Sequence, residues 1–367
     1  MSGSKALILV NSFQRGGAEL FANRLAIELQ NKGLCTVLMA TSNKEMSDME
    51  FSKLKGGIKL QYPDLSSKLI AFPFKVIALR RLLVKGDYTH VVSFLTNVNI
   101  LLLLASVGLK LSSVVCERSS PYTRPNGFLL RHVRNLLYRR SSTVVVQSQC
   151  GERYYKRRGI KKIAVIPNLI RDFPTSNIGT EFVFEPNKKY LLTVGRLIKS
   201  KNISFLIRAF EQVRDLDSSL ELVIVGKGPL LENIENQVGK SRHRLAIHIH
   251  PPVERLDYFY RHAHIFLFSS LIEGFPNVLI EAMSFGLPLI ALDVYCGPSD
   301  IVENGVNGFL LPANVTVEEY SDKISILLND IDLRNKLGNQ SIKKSLEYSV
   351  NETIEKWLDL MCELSYE

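Results

Sequence analysis

No stretch of this 367-residue chain stays apolar for the ~20 residues that a membrane-crossing helix needs. The longest apolar run, residues 98–109, is broken by Asn99, Ser106 and Gly108 and suits a buried helix. Cysteine is sparse. Cys35, Cys116, Cys150, Cys296 and Cys362 are scattered with no C-x-x-C pair, which argues against a disulfide framework or a zinc site and fits a reducing compartment. No group of His, Cys or acidic residues has metal-ligand spacing, so neither a metal nor a cofactor is expected. Two D-x-D matches, Asp215 to Asp217 and Asp330 to Asp332, follow expected helices in polar surroundings. Histidines 243, 248, 250, 262 and 264 crowd one region but alternate along it, and read as structural or solvated. No signal-like segment precedes the first apolar run, residues 6–10, so the expected location is cytoplasmic. Repeats and low-complexity tracts are also missing.

Acidic residues are scarce in the first half alone. Residues 1–162 hold 26 Lys and Arg against 9 Asp and Glu, while residues 163–367 hold 20 against 27. The densest block, 118–162, has twelve basic residues and one acidic residue, Glu152. Such a field attracts anions: lipid headgroups, pyrophosphates or nucleic acid.

What is present is an ordinary globular composition, 46% hydrophobic and 22% charged, in a chain long enough for two cores. Short apolar runs at 6–10, 36–40, 91–94, 113–116 and 143–147 read as strands, with a helix-spaced segment at 18–31 between the first two. Residues 168–189, with Pro174, Gly179 and Pro186, show no period. Strands then restart at 190–194, 220–225, 246–249, 265–268 and 288–291, with helices between them. The fold class is therefore α/β, with two doubly wound halves facing a cleft and ligands at the C-terminal strand ends. The expected domains are residues 1–170, a linker at 171–188, and residues 189–350.

Residues 273–281, Glu-Gly-Phe-Pro-Asn-Val-Leu-Ile-Glu, place two carboxylates around a helix start. Asn277 is the expected N-cap, and the N–H groups near Val278 and Leu279 suit a phosphate. Glu273 lies before that helix and Glu281 about one turn inside it, a layout that fits a nucleotide sugar. The spacing alone fits two solvated glutamates at least as well. Arg196 and Lys201 follow the strand at 190–194, where an arginine fork and a lysine suit a diphosphate. Gly16 and Gly17 open the helix after the first strand and would let a ligand reach backbone N–H groups. Gly226-Lys227-Gly228-Pro229 lacks a third glycine, since Leu231 stands there, so it reads as a tight turn with Pro229 opening a helix.

Taken in order, Arg15–Glu19, Ile166–Asn168, Val194–Asn202, Gly226–Pro229, Glu273–Met283 and Gly297–Val302 resemble the retaining GT-B glycosyltransferases of family four. The resemblance covers most of the chain and is strongest over 190–310. It implies that Glu273 contacts a donor sugar, Glu281 the ribose hydroxyls, and Arg196 and Lys201 the diphosphate. Gly16 and Gly17 would face the donor from the first domain. The backbone of Gly274, Phe275, Pro276, Asn277 and Val278 would line sugar and phosphate. It further implies a metal-independent transfer, UDP as the nucleotide, and a final helix at 351–364, with Trp357, that returns to the first domain. One departure is clear. Where many members carry a histidine after a first-domain strand, this chain reads Glu117-Arg118, as in a bacterial surface-polysaccharide subgroup. Either residue could take over positioning.

The basic block suggests the acceptor, a lipid-linked oligosaccharide. Residues 127–140 place Leu129, Leu130, Val133, Leu136 and Leu137 at helical spacing, with Arg131, Arg134, Arg139 and Arg140 off that face, and Tyr154 to Arg158 follow. A basic face of this kind could rest on the anionic inner surface of the cell membrane. The other readings are a GT-B-shaped sugar-nucleotide epimerase or phosphorylase, and a basic nucleic-acid-binding protein. No nucleic-acid motif is present, and nucleic acid is not an expected partner.

Overall fold

A computed structural model describes residues 5–13, 17–42, 58–62, 68–170, 173, 182–253 and 255–365. The chain divides into two compact units. One comprises Met1–Leu169 with Val350–Glu367, the other Ile170–Ser349.

In the first unit β1 (Lys5–Val10) leads to α1 (Gly17–Asn31), β2 (Cys35–Ala40), β3 (Ile58–Lys59), α2 (Lys68–Lys85) and β4 (His90–Phe94). Then come α3 (Thr96–Ala105), β5 (Ser112–Cys116), α4 (Phe128–Tyr138), β6 (Thr143–Val146), α5 (Gln149–Lys156) and β7 (Ile163–Val165). The seven strands pair in parallel in the order β3-β2-β1-β4-β5-β6-β7. Burial of β4 along its whole length explains why it shows no apolar–polar alternation: Val91 and Val92 are adjacent, and His90 and Ser93 are buried with them.

The second unit runs β8 (Lys189–Val194), α6 (Ile203–Arg214), β9 (Leu220–Val225), α7 (Leu231–Lys240), β10 (Ile247–His250), α8 (Leu256–His262) and β11 (Ile265–Phe268). It continues with α9 (Asn277–Ser284), β12 (Leu289–Asp293), α10 (Pro298–Ile301), β13 (Gly308–Pro312), α11 (Val317–Asn329) and α12 (Ile331–Ser345). Its six parallel strands lie in the order β10-β9-β8-β11-β12-β13. Strand order therefore reverses between β8 and β11, and the loops leaving those neighbours open at the same edge. Thr316 and Glu319 close a reciprocal capping box at the start of α11.

The helix α13 (Val350–Ser365) belongs to the first unit. Its buried residues Ile354, Trp357, Met361 and Leu364 recur every three to four positions and pack with Phe21, Phe94 and Leu25.

Three expectations change: the cap of α9, the start of α7 and the orientation of α4. Pro276, in extended conformation, holds the N-cap of α9, so Asn277 is its first helical residue and no side chain caps it. Pro229 precedes rather than opens α7, which begins at Leu231. The linker assignment falls partly on residues outside the described ones. Its described aromatic residues Phe173, Phe182 and Phe184 pack into the second unit against Tyr260, Tyr190 and Phe259. Finally, α4 is turned over. Phe128 (77% exposed), Leu129 (73%), Leu130, Val133 and Leu136 face outward, while Arg134 is fully buried. Tyr154 and Tyr155, expected beside a basic surface, are buried as well. The reason lies at the end of β5, where a buried carboxylate draws these groups inward.

Candidate active site

In the second unit the turn after β8 is fixed by close packing. A Cβ on Gly226 would stand 1.9 Å from the Gly195 carbonyl oxygen, and one on Gly228 would stand 2.4 Å from that of Leu197. The glycines after β9 thus seat the Gly195–Leu197 turn, the physical reason for a pattern that only partly matches a dinucleotide fingerprint. Leu197 is buried and its N–H donates to the Lys227 carbonyl at 2.9 Å. The next turn (199–201) ends at Asn202, in a left-handed conformation (φ +53°). The turn after β11 is laced to this one. Leu271 N–H donates to the Ser200 carbonyl at 2.8 Å, and the Ser269 hydroxyl donates to the carbonyls of Lys201 (2.9 Å) and Asn202 (3.2 Å).

This lacing brings Lys201 and Glu273, 72 positions apart in sequence, into a direct ion pair between Nζ and Oε1. Both side chains are largely shielded, at 19% and 11% exposure, and the lysine also lies 5.5 Å from the Phe268 ring centre. Arg196, on the preceding turn, is exposed, and its side chain makes no hydrogen bond or ion pair with the described residues. Glu281 is buried on α9, where its Oε2 accepts a 2.9 Å hydrogen bond from the Tyr260 hydroxyl. Tyr260 is itself held flat against Phe285, with ring centres 5.4 Å apart. Phe275 and Pro276 are buried, and Gly297 (φ +98°) packs so tightly on Pro276 that an added Cβ would meet its Cδ at 2.5 Å. Gly274, Asn277 and Val278 are partly exposed around them.

The first unit's candidates form a separate group. Glu117 is buried at the end of β5 and accepts hydrogen bonds from Thr96 (2.9 Å), Ser119 (2.8 Å), Tyr138 (3.1 Å) and Tyr155 (3.4 Å). Arg134 lies 3.8 Å from it and also donates to the carbonyl of Pro121 (3.3 Å) and the Tyr154 hydroxyl (2.8 Å). Burial, and then the Glu117 charge, push Tyr138 and Tyr155 well above the usual tyrosine range, so both stay protonated as donors. Leu95, with φ +76°, delivers Thr96 to this cluster. Arg118 does not join it. Its guanidinium lies over Phe21 (3.7 Å) and Phe94 (4.9 Å), and Nη1 donates to Asn168 Oδ1. Gly17 begins α1 with open space above it, and Gly16 lies outside the described residues.

Tyr260, Ser269 and Arg134 were not legible as site residues. Tyr260 reads as one more apolar-face aromatic, Ser269 as loop, and Arg134 as part of a solvated stripe. Among the described residues no three His, Cys, Asp or Glu side chains gather as metal ligands. No described helix is long and apolar enough to cross a membrane.

Comparison with known proteins agrees with this layout. Residues 177–344 match the family described as "Glycosyl transferases group 1", and residues 16–169 match "Glycosyl transferase 4-like domain". The chain is 26% identical to a Campylobacter jejuni enzyme, "GalNAc-alpha-(1->4)-GalNAc-alpha-(1->3)-diNAcBac-PP-undecaprenol alpha-1,4-N-acetyl-D-galactosaminyltransferase", over 98% of this chain and 99% of that one. It is 25% identical to the amylovoran biosynthesis glycosyltransferase AmsD of Erwinia amylovora, over 97% and 99% of the two chains. An Anabaena protein solved in complex with UDP superposes with a TM-score of 0.79 at 18% identity, covering 98% of this chain and all of that one.

Proposed function

We propose, since the chain belongs to the GT-B glycosyltransferases of family four, that it moves a hexose or N-acetylhexosamine, with retention, from a UDP-sugar to a lipid-linked surface glycan. The observation that carries this reading is the Lys201–Glu273 pair at the strand-order reversal of the second unit, with Glu281 held one turn into α9. Glu273 receives the sugar hydroxyls and Glu281 the ribose. Arg196 and Lys201 take the diphosphate, joined by the N–H groups opening α9. As the bond from the sugar's anomeric carbon to the diphosphate breaks, negative charge builds on the leaving phosphate oxygens. The two cations and the helix end stabilise it in place of a divalent metal. The acceptor hydroxyl then attacks the same face, and its proton passes to the departing phosphate. No protein base is needed. Support for UDP comes from the Anabaena structure, and for a diphosphate-linked lipid acceptor from the name of the Campylobacter relative.

The acceptor's carrier suits a protein resting on the cytoplasmic face of the membrane. The outward apolar residues of α4, flanked by exposed Arg124, Arg139 and Arg140, are the surface for that contact. A transfer assay with a panel of UDP- and GDP-sugars and polyprenyl-diphosphate glycans tests the reading. Anomeric configuration of the product is read by NMR. Retained configuration with one UDP-sugar supports it; an inverted product, or turnover only with a GDP-sugar, removes the corresponding part. Flotation with anionic vesicles tests the contact, since Leu130→Asp with Leu136→Asp should abolish binding.

A further inference from the structure

Glu117 and Arg118 are neighbours in sequence and opposite in circumstance. A carboxylate has about four lone-pair sites. Glu117 meets four hydroxyl donors and the Arg134 guanidinium, and it is buried. Thr96, Tyr138, Tyr155 and Arg134 occupy its Oε2 and Ser119 its Oε1, so the carboxylate is engaged at both oxygens within the fold. Arg118 has the reverse problem. No carboxylate among the described residues pairs with it; two aromatic rings and, at Nη1, the amide oxygens of Asn168 and Gln147 carry its charge. Its Nε and Nη2 are buried without a hydrogen-bond partner. Those two N–H groups form one lateral edge of the guanidinium, the fork that grips two oxygens of a single anion. Burial lowers its pKa to about 10, which still leaves it a cation at neutral pH. Idle buried donors on an unpaired charge are costly in a folded protein. An arriving oxyanion would offset that cost.

We propose that Arg118 is the ligand-contacting residue at the end of β5, gripping a phosphate or diphosphate group through Nε and Nη2, and that Glu117 is a positioning residue that never meets substrate. The inference rests on the glycosyl-transfer reading only for the source of the anion. Glu117 fixes the backbone from which Arg118 projects, by holding Thr96 of α3, Tyr138 of α4 and Tyr155 of α5 around the strand end. Phe21 and Phe94 hold the planar guanidinium in place until the anion arrives.

The test is calorimetric titration of the full chain with inorganic pyrophosphate, UDP and geranyl diphosphate. It is run in an Arg196→Ala, Lys201→Ala background that removes the two cations proposed to hold the diphosphate in the second unit. Arg118→Met should weaken binding at least tenfold. A loss confined to geranyl diphosphate assigns the anion to the lipid-linked acceptor, and one confined to UDP assigns it to the donor. No loss with any of the three overturns the proposal. Glu117→Gln should lower the melting temperature yet leave pyrophosphate affinity of the folded protein within twofold. A loss equal to that of Arg118→Met would overturn the division of roles. If Arg118→Met does not fold, Arg118→Lys serves. Burial would bring a lysine's pKa below its ordinary range, so its pyrophosphate binding should fall as pH rises over a range where the Arg118 protein is level. A flat profile at wild-type affinity overturns the proposal. Failure of the glycosyl-transfer reading shows separately, as no transfer from any nucleotide sugar by the unsubstituted chain.

Discussion

At the end of β5 the Glu117 carboxylate is enclosed by four hydroxyls and a guanidinium, whereas after β11 Glu273 meets a single lysine and the nearby Arg196 stands exposed. Both places set acid beside base at the C-terminal edge of a parallel sheet. They differ in how many of their polar groups are already answered. A saturated carboxylate holds elements together, because displacing any donor leaves a buried polar group unmet. A carboxylate with one partially shielded partner can exchange that partner for a ligand at modest cost. The same reasoning separates Arg134, bound on all sides, from Arg118, bound on one.

The comparison breaks most visibly at Glu117. Its replacement by alanine leaves Arg134 buried and uncompensated, a loss of about 3–5 kcal/mol. Scanning calorimetry should show the first unit melting many degrees earlier, and a negligible shift would mean the network is not structural. Next in size, Arg196→Ala or Lys201→Ala should slow transfer by roughly two to three orders of magnitude, about 2.7–4 kcal/mol of barrier. Melting should be nearly unchanged for Arg196→Ala, which breaks no ion pair, and a large melting shift there would erase the contrast between the two strand ends. Tyr260→Phe should raise the donor KM about tenfold, roughly 1.5 kcal/mol for a hydrogen bond to a charged group. Initial-rate kinetics should find kcat little altered, which separates an aligned ribose contact from a role in chemistry.

The smallest effect lies outside both strand ends, at Asp217 in the second unit. Burial alone would raise its pKa, but hydrogen bonds from Ser219 and Lys189 outweigh burial and lower it to about 2. A depressed folded value contributes stability above the unfolded pKa and loses it as pH falls toward 2. Acid titration of Asp217→Asn should lack that share of the transition, while the Glu117 network is untouched.

The alternation of strands and helices was readable because parallel strands buried on both faces are short and apolar. The order of the loops was readable from the turn residues between them. The pairing of Lys201 with Glu273 was not. It depends on β8 and β11 lying side by side, and no local pattern encodes which strands neighbour. The orientation of α4 misled for a physical reason. Apolar spacing finds a helix face but not its direction, and here Glu117 supplies an inward pull that periodicity does not register. Asn277 is a good capping residue by type, yet the turn that Gly297 packs against puts Pro276 at that position.

The return of α13 to the first unit has a bearing on order of synthesis. The second unit is encoded as one continuous stretch and can close its core as soon as that stretch is made. The first unit is interrupted by it. Trp357 lies 6.5 Å from Phe21 and 6.3 Å from Phe94 by ring centres, and those two rings are the platform beneath Arg118. Until α13 emerges from the ribosome, that platform lacks the Trp357 ring that packs against both of its members. The nascent chain therefore completes its β5 strand end only after the whole second unit has been translated.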